Sequence, residues 1–242
     1  MRSELFSRAI VGVGVAATLA LSMSASADGP AVTLNINGSG STLNGTSTAA
    51  ANIYNYSGSL SDAGGLWSFG WDFNASNMAD LQTSFVSGNF VLINTGDTAR
   101  DFSISLTLPV LVSGAKNTLY GGSVAGSIIG DADGGSFSTI GSAPVWAATT
   151  NGVSIANLLV APVSVTANPF QAASVGSASF GEPIPSAWGP NLSTNLAITF
   201  TFRLGAGDSA AFTSVLVAQV PAPGAVALLG VAGLVARRRR RD

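Results

Sequence analysis

The chain has 242 residues, 12 of them acidic and 10 basic, and contains neither histidine nor cysteine. Ser-His-Asp and Cys-His nucleophile systems are therefore excluded, as are histidine or cysteine zinc sites and thiol redox chemistry. Disulfides are excluded too, so any folded domain is held by packing and hydrogen bonds alone.

The chain opens with a basic stretch carrying Arg2 and Arg8, an apolar run over residues 9–21, and small residues ending in Ala25-Ser26-Ala27. This order predicts a secretory signal peptide over residues 1–27, cleaved between Ala27 and Asp28. The run is short for a comfortable membrane span, which argues for removal rather than anchoring. Residues 28–219 then form one predicted domain, rich in Gly, Ser, Thr, Ala and Asn, with ten acidic and three basic side chains and a net charge of −7. Such a surface repels nucleic acid.

Within that domain the clearest pattern is alternation. Trp67, Phe69, Trp71 and Phe73 occupy every second position, as do Phe102, Ile104, Leu106 and Leu108, and Leu196, Ile198, Phe200, Phe202 and Leu204. A period of two buries one face and wets the other, so these segments are predicted strands. Residues 32–36, 85–93, 153–160, 163–167 and 212–217 are further candidates. Turn clusters lie between strands, among them Asn94-Thr-Gly-Asp97, Asp131-Ala-Asp-Gly-Gly135, Asn151-Gly152 and Gly205-Ala-Gly-Asp208. Many short strands with Gly and Asx turns predict an all-β fold, an antiparallel β-sandwich of jelly-roll-like form. A β-helix is the alternative, but no fixed internal period supports it. The segments 196–204 and 212–217, joined by residues 205–209, have a loop length suited to a hairpin. The proline-bearing region 168–190 reads as a long irregular connection.

Four tryptophans form the candidate glycan platform: Trp67 and Trp71 in the aromatic stripe, and Trp146 and Trp188 on less regular segments. Flat rings stack on sugar rings, although a stripe of aromatics is also what an ordinary core face looks like. Asp131-Ala-Asp133-Gly134 resembles part of a calcium loop but lacks the remaining ligands of an EF-hand, and an Asx-Gly turn explains it better. Ten acids leave a glycosidase carboxylate pair open as a reading, but Asp62, Asp97, Asp131, Asp133 and Asp208 all fall in turns. Arg100 and Asp101 read as a surface charge pair. Thr199 and Thr201 present hydroxyls on one strand face, where water ordering or ice binding is a minor alternative. The triplets beginning at Asn44 and Asn74 read as chance in an Asn- and Ser-rich chain. No metal and no cofactor is implied.

The C-terminus, residues 220–242, carries Val220-Pro221-Ala222-Pro223, an apolar run to Ala236, and a basic stop of Arg237, Arg238, Arg239, Arg240 and Arg241. The prolines prevent a helix from extending backward. The thirteen residues from Gly224 to Ala236 would span roughly 20 Å as a helix, short against a bilayer core of about 30 Å. Flanking arginines retain such a segment on the cytoplasmic side and leave the main domain outside. This tripartite order resembles the PEP-CTERM sorting signal, with Ala222 standing where the family carries glutamate. The resemblance covers about a tenth of the chain. It implies export by the secretion machinery, transient anchoring in the inner membrane, and tail removal by an exosortase-type enzyme, usually in organisms that make extracellular polysaccharide.

Together these observations predict an exported, non-enzymatic β-sandwich flanked by an N-terminal signal helix and a short C-terminal apolar helix. It is expected at the cell surface or in the extracellular matrix, in a structural or adhesive role with extracellular polysaccharide as a partner. A polysaccharide-active hydrolase or a glycan-binding sandwich is the alternative.

Overall fold

The computed structural model describes residues 29–78, 83–110 and 117–221. The expected signal helix and the apolar tail helix lie outside these residues. Among the described residues no helix is long and apolar enough to cross a membrane, and regular structure is sixteen strands. In chain order they begin with β1 (Val32–Ile36), β2 (Ser39–Leu43), β3 (Thr46–Ser47), β4 (Ile53–Ser61), β5 (Ser68–Met78) and β6 (Thr83–Ile93). There follow β7 (Arg100–Pro109), β8 (Leu119–Ile129), β9 (Gly135–Ser138), β10 (Trp146–Thr150) and β11 (Val153–Leu158). The last are β12 (Ser164–Ala167), β13 (Ala172–Phe180), β14 (Ala187–Trp188), β15 (Asn195–Leu204) and β16 (Ser209–Gln219).

The strands form two antiparallel sheets. The first runs β11-β10-β15-β7-β1-β2, with β9 joining β15 and β12 flanking β9. The second runs β13-β8-β16-β6-β5-β4-β3, with β14 beside β8. The alternation read from the sequence sets the faces. In β15, Ile198, Phe200 and Phe202 are buried while Thr199 and Thr201 point outward and are half-buried. Hairpins β1-β2 and β10-β11 each turn on an Asn-Gly pair, with φ of 49° and 88° at Asn37 and Gly38 and of 48° and 76° at Asn151 and Gly152. Two successive left-handed residues match the strand twist in a two-residue loop, and Asn and Gly tolerate that region best.

The sheets pack face to face through aromatic side chains. Phe90 of the second sheet meets Phe200 of the first edge-on at 4.7 Å, and Phe212 lies 5.3 Å from Phe200 and 5.5 Å from Phe202. Such ring pairs contribute about 0.5–1.5 kcal/mol each beyond the area they bury. Tyr56 closes one margin of the core: it stacks on Phe73 at 5.0 Å and donates its hydroxyl proton to the carbonyl of Pro30. Burial, reinforced by Tyr54, pushes the Tyr56 pKa up to about 12, so the hydroxyl remains a donor at any physiological pH.

Two sequence expectations are corrected. β15 and β16 do not form a hairpin: β15 pairs with β7 and β10 in the first sheet, and β16 with β6 and β8 in the second. Each carries inward phenylalanines, and these meet across the core when the strands face each other instead of lying side by side. The residue 168–190 region is not a single irregular connection, because it contains β13, which pairs with β8 from Ala172 to Phe180.

Candidate functional site

The outer face of the second sheet is lined mainly by short side chains. Strand alternation sends Asn89 of β6, Thr213 of β16, Ala125 of β8 and Ser177 of β13 outward, and cross-strand register sets them in one row. The next row is Ser87, Val215, Ser123 and Ser179. Continued across β5 and β4, the first row adds Asp72 and Ser57 and the second Asn74 and Asn55. Asp72 is the one ionisable side chain among the described residues of this face, and Asn55 Nδ2 donates to its Oδ1 at 2.7 Å. Because the central side chains are short, a hollow of about 440 Å³ forms over Asn89, Val91, Ser127 and Ala211. A second hollow, of about 290 Å³, lies over Ser123, Ser177 and Ser179 and shares Ala125 and Thr213 with the first.

The tryptophans occupy different environments. Trp67 is 7% exposed and Trp146 fully buried, so neither ring is open to a sugar. That corrects the reading of Trp146 as an exposed platform: its indole reaches across the core and donates to Ser214 Oγ at 2.8 Å. Trp71 faces inward, stacked on Phe69 at 5.6 Å and lying over Gly58, where an added Cβ would stand 2.7 Å from the indole. Trp188 alone of the four is broadly open, at 68%. It pairs with Leu119 at the start of β8. Phe170, 75% exposed, hydrogen-bonds to Gly130 and Asp131 just past the other end of that strand. At about 3.4 Å per residue the two rings are too far apart to share one ligand.

The described carboxylates are mostly engaged locally. Asp62 Oδ2 accepts from the N–H groups of Gly64 and Leu66. Asp101 does not pair with Arg100. Neighbours in a strand point to opposite faces, and Asp101 is instead held by Arg203 on the adjoining strand, at 2.6 and 3.0 Å. Asp131 accepts from the Asp133 N–H at 2.9 Å, which makes the Asx turn expected there. Asp208 is 2% exposed and binds two turns at once, accepting from the Ser136 N–H at 2.8 Å and the Asp131 N–H at 3.3 Å. Burial raises the Asp208 pKa above the ordinary carboxyl value of 3.8, against the opposing pull of those two N–H donors. Asn94, buried beside this corner, donates to the carbonyls of Gly205, Leu204 and Thr98. Asp131, Asp133 and Asp208 border a hollow of about 390 Å³ with Ser136 and Thr166. Among the described residues, no group of three or more such side chains is set to hold a metal ion.

Of the sorting residues, Val220 and Pro221 are described. Val220 is half-buried against the core, directly after Gln219. Ala27, Asp28, Ala222, Pro223 and the arginines Arg237 to Arg241 lie outside the described residues.

No protein-family model matches the chain, and no curated protein matches it. Among solved structures, a carbohydrate-binding module of family 61 in complex with β-1,4-galactotriose is similar at 12% identity and a TM-score of 0.27. The match covers 62% of this chain and 86% of that one. So slight a likeness says nothing of what this chain binds.

Proposed function

We propose that the chain is an exported, non-enzymatic surface or extracellular-matrix protein, sorted through its C-terminal tail and acting structurally or adhesively. One observation carries the reading of its role: Asp62, Asp131 and Asp208 are held in turns, Asp101 by Arg203 and Asp72 by Asn55, while the outer face of the second sheet is built mainly of short hydroxyl, amide and aliphatic side chains with Asp72 its one carboxylate among the described residues. A face of that kind suits contact with a neutral matrix better than it suits bond cleavage. A jelly-roll-like sandwich is part of the same proposal, and the repeated passage of the chain between the two sheets supports it.

The test is mass spectrometry of the mature protein from its native host, combined with cell fractionation. The expected species begins at Asp28, lacks the arginine tail and is found in the surface or matrix fraction. An intact tail in the envelope fraction overturns processing.

The hydrolase alternative has one observation on its side, the three carboxylates around the hollow at Asp131, Asp133 and Asp208. Release of new reducing ends from a polysaccharide, abolished by Asp131→Asn, would establish it.

A further inference from the structure

We propose that the outer face of the second sheet binds a neutral, extended polysaccharide whose chain runs across the strands, along the side-chain rows that begin at Val91, Asn89 and Ser87. This rests on the reading of the chain as an exported matrix or surface protein and names its ligand class.

Three features select that occupant. The first is spacing. Neighbouring strands lie about 4.8 Å apart, so each row meets a ligand with one short side chain at close to the repeat of an extended β-linked sugar chain. From β6 to β13 a row crosses three inter-strand intervals, roughly 14 Å, enough to register several sugar units rather than one. The second is charge. No lysine or arginine stands among the described residues of this face, and its one carboxylate, Asp72, already accepts from Asn55. A polyanion finds no counter-charge here and meets a domain of net negative charge, whereas a neutral polymer loses nothing.

The third feature is shape. Ala125 and Ala211 put only methyl groups on the floor, which keeps the trough open. Val91 and Ile129 stand beside it, 43% and 49% exposed. They offer apolar surface to the carbon faces of sugar rings while Asn89, Ser127 and Thr213 supply hydroxyl and amide partners. Weak contacts repeated along a polymer add through effective concentration, so no single deep pocket is needed.

The experiment uses purified protein in native affinity gels containing either a neutral β-1,4-linked glucan or an anionic polyuronate. Retardation is expected in the neutral gel, unchanged by salt because no ion pairs form, and absent in the polyuronate gel. Thr213→Glu and Ala125→Glu place bulk and charge in the trough at exposed positions, and each is expected to weaken retention by about tenfold or more. Thr199→Glu, on the equally hydroxyl-bearing outer face of the first sheet, is expected to leave retention unchanged, with melting curves confirming that all three variants fold.

Free migration of the wild type in the neutral gel overturns the proposal. So does loss of retention in salt, or equal weakening by Thr199→Glu. Fractionation separates this result from the broader reading: a surface-located protein that is not retarded disproves the ligand and leaves export standing. A protein retained inside the cell disproves export, while the gel still decides the ligand.

Discussion

Trp146 Nε1 donates a hydrogen bond to Ser214 Oγ at 2.8 Å, joining the inner face of one sheet to that of the other. Trp146 is fully buried, so without Ser214 its N–H is left dry. Ser214→Ala is expected to cost about 1–3 kcal/mol, read as a lower denaturant midpoint. Combined with Trp146→Phe, which removes the donor, it should cost less than the two single changes together, as coupled groups do. Strict additivity would show that the bond contributes nothing to stability.

Asp208 predicts an unusual pH dependence for a carboxylate. Because burial raises its folded pKa, the native state keeps its proton where the unfolded chain has lost it. The group's stabilising share is therefore full below the unfolded value and is lost as pH rises through the folded one. Asp208→Asn removes the titration, so the stability of the wild type relative to this variant should fall as pH rises through the acid range. A difference that grows with pH would contradict the assignment.

Gly126 sits opposite Phe212 on the neighbouring strand, and a Cβ there would run into the phenyl ring. That ring is also within 6.0 Å of Phe137 and 5.4 Å of Phe90, so it has little freedom to retreat. Gly126→Ala is expected to destabilise by about 1–3 kcal/mol through overpacking. Phe212→Leu, destabilising alone, should recover part of that loss in the double variant; no recovery would place the strain elsewhere.

The Asp131–Asp133 turn predicts indifference to calcium. One Asp131 oxygen is taken by the Asp133 N–H, and both Asp208 oxygens are taken by backbone N–H groups. Chelation with EDTA should leave the melting temperature unchanged. A rise of several degrees on adding calcium would show that the carboxylates rearrange around the ion.

At the other end of β16, Gln219 is paired on both sides, to Thr83 and to Leu119, and Val220 rests against the core. The folded domain thus reaches the first residue of the proposed sorting motif and leaves a protease little slack. Inserting about six glycine and serine residues after Gln219 adds up to roughly 20 Å of reach and should speed tail removal in the native host, followed by pulse-chase and mass spectrometry. Equal rates would mean that access is not limiting.

The strands with bulky alternation, β5, β7 and β15, are legible in the sequence, as is the Asn151-Gly152 turn. β8 and β13 are not, because their inner positions include Gly122, Gly126 and Ala178, which carry little apolar signal. Their smallness makes room for rings on neighbouring strands: a Cβ on Gly126 would strike Phe212, and one on Gly122 would lie 2.9 Å from the Phe180 ring. Complementarity of that kind belongs to pairs of strands and is invisible in either one. The outer-face rows are hidden for the same reason, since Asn89, Thr213, Ala125 and Ser177 become neighbours only through register. The burial of Trp146 is not legible because its segment has little pattern, while the partner that permits its burial, Ser214, lies 68 residues away.

β15 and β16, the last long strands of the domain, are interior in both sheets. Without β16, β8 and β13 are severed from β6, β5 and β4; without β15, β10 and β11 are severed from β7, β1 and β2. Neither sheet can close around a partial chain. The two halves of each sheet are thus joined only through the C-terminal end of the domain, and a chain cut before β15 would leave both sheets in separate pieces.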